Sequence, residues 1–171
     1  MSNSAAKAAA KPTASKRAKP AAACAASGEV SFALTLHVRD HCLCLHIQRA
    51  ARALARRFDD ALRPVGLTQG QFSLLMSLNR PQPPNIKDVA SLLAMDRTTL
   101  TANLKPLERR GLVKVNVDKE DKRGRRLVLT SFGRALLAAA APIWIREHAA
   151  AERALTRSSP DTLRATLREL R

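Results

Sequence analysis

The chain has 171 residues, in which 30 Lys and Arg stand against 14 Asp and Glu, for a formal charge of +16. That surplus points to a polyanionic partner, and a hydrophobic content of 46% supplies enough apolar mass for one real core. Aromatic residues make up 3% and Tyr is absent, which argues against a single-strand binder built on stacked rings. Three Cys do not make a paired disulfide framework, so a reducing cytoplasm is the expected setting. No apolar run approaches the roughly 18 residues needed to span a bilayer, and the Lys-bearing N-terminus has no apolar stretch of a secretory signal.

Residues 1–28 are almost entirely Ala, Lys, Ser, Pro and Thr, with Lys7, Lys11, Lys16, Arg17 and Lys19 unopposed by any acid. The composition predicts a disordered basic tail, serving either as a solubilising extension or as an arm that tracks DNA phosphates without sequence preference. Without it, residues 29–171 still carry +11, so the basic character extends into the folded part. Leu43, Ile47, Ala50, Ala51, Leu54, Phe58 and Leu62 follow the spacing of a buried helix face, predicting one long helix from about Leu36 to Leu62 that Pro64 and Gly66 stop. Thr68 with Gln71 forms a capping-box pattern ahead of Phe72, Leu75 and Met76.

After the rigid Arg80–Pro84 loop, Asn85 is placed to cap a short helix with Ile86, Val89, Leu92 and Leu93 inward. Asp96 then caps a second helix whose inner stripe is Leu100, Leu104 and Leu107 and which Gly111 ends. Two helices joined so closely, with small Ala90 at the crossing and Ala94 in the turn, read as a helix-turn-helix. Beyond Gly111 the period changes from 3.6 to 2. Val113, Val115 and Val117 predict a strand, the polar run 118–124 a turn, and Arg126–Leu129 the returning strand. Thr130 caps a long helix containing Leu136, Leu137, Ile143, Trp144 and Leu155, with a kink expected at Pro142. Ser159-Pro160 opens a last helix with Leu163, Leu167 and Leu170 inside. The fold class is mainly α with a two-stranded β-wing. The winged helix-turn-helix occupies about 66–130, and dimerisation helices occupy about 32–63 and 131–171. Pro106, which has no amide to donate, is expected to bend the second helix of the motif or end it early.

The stretches RAARALARRFDDALRPVGLTQGQF, IKDVASLLAMDRTTLTANLKPLERRGLVKV and DKEDKRGRRLVLTSFGRALL together resemble the MarR family of regulators over roughly residues 40–157. The resemblance implies a homodimeric transcription regulator, a repressor released by a ligand or an oxidant. It reads pseudo-palindromic double-stranded DNA. In that reading the outward face of the second helix offers Arg97, Thr98, Thr99, Thr101, Asn103 and Lys105 to phosphates and base edges. In the wing motif, Asp121 orients Arg123 into a narrow minor groove while Lys122 and Arg125 take phosphates. Ala102 stands where many relatives carry a long polar side chain.

Three readings of the first long helix stand side by side. Cys44 lies where organic hydroperoxide regulators of the same family carry their peroxide-sensing Cys, although Gln48 and Phe58 occupy the positions of their expected Tyr partners. His37, His41 and Cys44 share one helical face, and Cys42 and His46 another, a pattern open to Zn or Cu. The same residues also suit an ordinary dimer core, with Cys packing as a small hydrophobe. Arg52, Arg56, Phe58, Phe72 and Met76 are candidates to line a crevice for an aromatic or phenolic ligand. No cofactor and no resident metal is expected. Only six Gly occur, no phosphate-cradling loop or nucleophile elbow is present, and an enzyme is not expected. The rival reading is a nucleoid-associated protein that coats DNA without sequence preference.

Overall fold

Leucine-rich stripes and well-formed caps account for most of the architecture. A computed structural model of the chain describes residues 29–118 and 124–170. The basic tail with Cys24, and the wing-tip residues Asp121, Lys122 and Arg123, lie outside the described residues. The chain divides between Leu43 and Cys44 into two units. In the first unit, α1 spans Phe32–His41, is N-capped by the Ser31 side chain and buries none of its residues.

The expected single helix from Leu36 is in fact two. Cys42 adopts an extended backbone, with ψ of 107°, and α2 begins afresh as Leu43–Leu62. At the end of α1 the His41 ring lies 3.0 Å from the His37 carbonyl, and the Cys42 amide makes the last helical bond, to the Val38 carbonyl at 3.0 Å. The predicted apolar stripe of α2 is only half realised. Phe58 and Leu62 are buried, whereas Leu43, Ile47 and Leu54 face outward. The spacing gives the stripe correctly, but no described segment covers its first half.

From Leu62 onward the predicted elements are present. A 3-10 turn, Arg63–Val65, ends at Gly66, whose φ of 65° is left-handed, and α3 follows over Gln69–Leu78 with both halves of the Thr68–Gln71 capping box formed. The helix-turn-helix consists of α4, Ile86–Leu92, and α5, Arg97–Arg109, with Asn85 and Asp96 accepting at their respective N-termini. Ala94 takes up the turn at φ of 51°, a left-handed conformation that favours Gly. Despite Pro106, α5 runs on to Arg109. The proline forfeits one amide, and Leu104 and Leu107, buried on either side, hold the helix in place.

Strands β1, Val113–Val117, and β2, Arg125–Leu129, pair antiparallel with Val113 opposite Leu129 and Val117 opposite Arg125. Burial fades along β1: Val113 is buried and Val117 exposed. Helix α6, Ser131–Arg153, passes Pro142 without interruption, and α7 spans Pro160–Arg168. Leu155 therefore falls beyond α6 and Leu170 beyond α7, and both are exposed, as are Leu163 and Leu167. Leu163, Leu167 and Leu170 make the apolar stripe expected of a dimerisation helix, and among the described residues of this single chain nothing covers it.

The core gathers Leu62, Leu67 and Phe72 with Leu100, Leu104 and Leu107 of α5, Leu127 and Leu129 of β2, and Leu137 and Ala140 of α6. Trp144 of α6 stacks with Phe72 at 5.9 Å and Phe58 at 6.4 Å between centroids, joining α2, α3 and α6. Where α6 begins, the Thr130 hydroxyl donates to the Gly111 carbonyl at 2.8 Å and accepts from the Gly133 amide at 2.9 Å. A Cβ at Gly133 would collide with the Leu112 carbonyl oxygen, which is backbone and held by the Thr130 amide. Gly133→Ala is expected to cost about 1–3 kcal/mol in chemical denaturation, the range for overpacking; an unchanged midpoint would show that this junction has slack.

Candidate nucleic-acid interface

The outward face of α5 is set by its inward one. With Leu100, Leu104 and Leu107 fully buried, Arg97, Thr98, Thr101 and Lys105 are left exposed. The start of the helix is organised around Asp96. Its two carboxylate oxygens accept from the Thr99 amide at 2.8 Å and the Thr99 hydroxyl at 2.6 Å. Thr101 turns its hydroxyl back to the Arg97 carbonyl at 2.7 Å. The Asn103 amide nitrogen lies 3.8 Å from Met95 sulfur, which directs it toward the turn. Thus Thr99 and Thr101 spend their hydroxyl protons on the helix, keeping lone pairs and methyls for a ligand, while Arg97 and Thr98 remain the leading groups at this edge. Lys105 stands further along, beside a shallow hollow it shares with Glu108 and Arg109.

Arg97 opens onto a cleft of about 640 Å³ between the helix-turn-helix and the hairpin, lined among others by Lys87, Ser91, Asp118 and Arg125. Three cations from three elements thereby share one opening. Sequence reasoning missed Lys87, although its position between inward Ile86 and Val89 marks it as an exposed site on α4. It also missed an ion pair: Arg126 donates through Nε to Asp118 at 2.5 Å. Arg125, predicted to hold a phosphate, directs Nη1 to the Gly124 carbonyl at 2.9 Å.

The predicted ligand crevice is gathered only in part. Phe72 and Met76 line an apolar hollow of about 420 Å³ with Leu92, Leu93 and Trp144. Phe58 is buried on Trp144, and Arg52 is exposed and engaged with Gln48 at 3.0 Å. Arg56 is exposed and does not line the hollow. Cys44 is exposed, with Gln48 donating to its sulfur at 3.1 Å. His37 and His41 stack at 4.3 Å between centroids, and Cys42 is half-buried. Among the described residues no three His, Cys, Asp or Glu side chains gather closely enough to hold a metal ion, and no helix is long and apolar enough to cross a membrane.

The model of the MarR family matches residues 67–124, from the end of the α2–α3 turn to the wing. MosR, a Mycobacterium tuberculosis transcriptional regulator solved in complex with DNA, is 36% identical, superposes with a TM-score of 0.70, and matches 76% of this chain and 93% of that one. The chain belongs to the MarR family. CouR, a transcriptional repressor solved on a 23-mer DNA duplex, is 29% identical with a TM-score of 0.69, over 84% of this chain and 99% of that one. Among curated MarR-type regulators, TtmR of Methylorubrum extorquens is 35% identical over 97 residues, 57% of this chain and 50% of TtmR. The chain spans between half and about three fifths of the length of the first curated relatives it matches, from 50% to 62%. These MarR relatives are transcription regulators and not enzymes.

The Asp96 carboxyl is held below the ordinary carboxylate range, first by the Thr99 hydroxyl and then by the Thr99 amide. A group depressed in this way adds stability above its unfolded value, near 3.9, and loses that contribution as pH falls through its folded value. Asp96→Asn keeps a capping acceptor but cannot be protonated in this range. Its stability is therefore expected to fall less steeply than wild type on acidification, in denaturant titrations at stepped pH; parallel curves would place the acid sensitivity elsewhere.

Proposed function

We propose that the chain is a cytoplasmic, sequence-specific regulator of transcription that binds double-stranded DNA as a homodimer. The observation that carries this reading is the shared cleft: Arg97 at the start of α5, Lys87 of α4 and Arg125 of the hairpin face one opening beside an exposed polar helix edge. Cations on three elements suit a duplex backbone, with exposed Thr98 and Thr101 on the same helix face for base edges. From the sequence motif, Asp121 is read as orienting Arg123 into the minor groove, with Lys122 on a phosphate. That MosR and CouR were both solved with DNA supports the reading.

The exposed leucines support the dimer. In the unit from Cys44 onward, Leu155, Leu163, Leu167 and Leu170 face outward, and in the other unit α1 exposes Phe32, Leu34 and Val38. A two-fold partner that covers such surfaces also doubles the reading head, which matches a pseudo-palindrome with half-sites about one turn, near 34 Å, apart.

Regulation is read as repression relieved at one of two places. The hollow between Phe72, Met76, Leu93 and Trp144 has the size and apolar lining for a small aromatic ligand, without help from Arg52 or Arg56. Cys44, exposed on α2, is the alternative, as a thiol open to oxidation by peroxide.

Footprinting on genomic fragments is expected to show discrete protection of two half-sites, retained after removal of residues 1–28. Uniform coating at the same salt would favour the nucleoid reading instead. Arg97→Ala is expected to weaken that binding by about 1–3 kcal/mol and to lower the salt dependence by about one phosphate. Binding with an unaltered salt slope would remove Arg97 from the backbone contacts. For release by oxidation, peroxide is expected to abolish the footprint of wild type and spare that of Cys44→Ser. Equal loss in both proteins would exclude Cys44 as the sensor.

A further inference from the structure

We propose that Arg126 is a positioning residue that ties the wing to the loop opening the helix-turn-helix, and that it does not itself bind DNA. This rests on the DNA-binding reading above. Arg126 follows Arg125 in a basic hairpin, and charge alone would send it to a phosphate. The geometry sends it the other way. Its Nε donates to Asp118 Oδ2 at 2.5 Å and its Nη1 to the Pro83 carbonyl at 3.3 Å. The Asp118 side chain is only 11% exposed, so it has given up much of its water in this arrangement. The planar guanidinium reaches both acceptors at once, which a Lys ammonium does not reproduce.

The backbone repeats the same tie. Arg126 forms an isolated antiparallel bridge with Asn85, and the Leu127 amide donates to the Pro84 carbonyl at 2.9 Å. Asn85 is the residue that caps α4. Across the hairpin, the Asp118 amide donates to the Gly124 carbonyl at 3.1 Å, closing the ladder where β1 ends. One side chain therefore links the end of β1 to the segment that starts the helix-turn-helix. Lys87 and Arg97 lie on the helix-turn-helix and Arg125 on the hairpin, so their shared cleft exists only while the two are held together. Arg126 sets that spacing.

Asp118 makes the test sharp, because it also lines the cationic cleft. Asp118→Asn removes a negative charge beside the DNA site. If only charge counted, binding would tighten. If the clamp counts, binding weakens. The probe is a duplex recovered from a random pool by the wild-type chain, with affinity measured over a salt series. Arg126→Ala and Asp118→Asn are each expected to weaken binding about fivefold to tenfold at the wild-type salt slope, and the double variant no further than either alone. Arg126→Lys, which keeps the charge but not the fork, is expected to weaken it as well. Tighter binding by Asp118→Asn, wild-type binding by Arg126→Lys, or a slope lowered by about one phosphate in Arg126→Ala would overturn the proposal.

Hydrogen exchange in the free protein supplies a second arm. The Leu127 amide is expected to exchange faster in Arg126→Ala and Asp118→Asn, while Leu75 in the core keeps its wild-type protection and shows that the variants are folded. Unchanged exchange at Leu127 would show that Arg126 does not hold the hairpin. If the wild-type chain enriches no duplex, the DNA-binding reading fails, and the exchange arm still decides the clamp.

Discussion

The burial of three leucines on one face of α5 is the constraint on which the rest depends. Leu100, Leu104 and Leu107 are sealed in the core where α5 packs on α4 and on β1, and each contributes on the order of 1.5–3 kcal/mol by leaving water. A helix anchored by such a stripe has no rotational freedom about its axis. Whatever lies opposite the leucines must face out, so the same contacts that stabilise the core aim Arg97 and Thr98 at the solvent. The Asp96 cap adds the axial coordinate by fixing where the helix starts. Specific recognition needs both, because a helix free to slide or roll presents a different set of side chains at each position.

Legibility follows the range of the interactions. Thr68–Gln71, Asn85, Asp96, Thr130 and Ser159 were readable because a cap and its target amide lie three residues apart in the chain. The hairpin was readable because its pattern alternates over a few residues. The α2 and α7 stripes were equally readable as amphipathic, but a stripe does not say what covers it. That is why Leu43, Leu54, Leu163 and Leu167, on helices read as dimerisation helices, lie at the surface of the single chain. The break at Cys42 carried no Pro or Gly to announce it.

The candidate site divides in the same way. The polar edge of α5 was legible from periodicity, and Arg97 and Thr98 stand where the spacing places them. The roles of Thr99 and Thr101 were not, because either hydroxyl can serve a ligand or its own chain, and only the geometry shows that Thr99 donates to the Asp96 cap and Thr101 to the Arg97 carbonyl. Lys87 was overlooked because a single exposed lysine on a short helix has no distinguishing pattern. The Asp118–Arg126 pair spans a turn whose two sides meet only after the strands are in register, so no local rule predicts it.

The packing around Gly133 has a mechanical consequence. The first turn of α6 rests directly on the Leu112 carbonyl, at the junction where α5 passes into β1, and the Thr130 hydroxyl bolts the two together. At that point the contact is backbone against backbone, with the Leu129 side chain packed beside it. Helix α6 thus acts as a rod rooted at the base of the reading head, with Trp144 further along its length. A Cβ is enough to push that root off its seat, so the orientation of α6 against the helix and hairpin is set at a single residue.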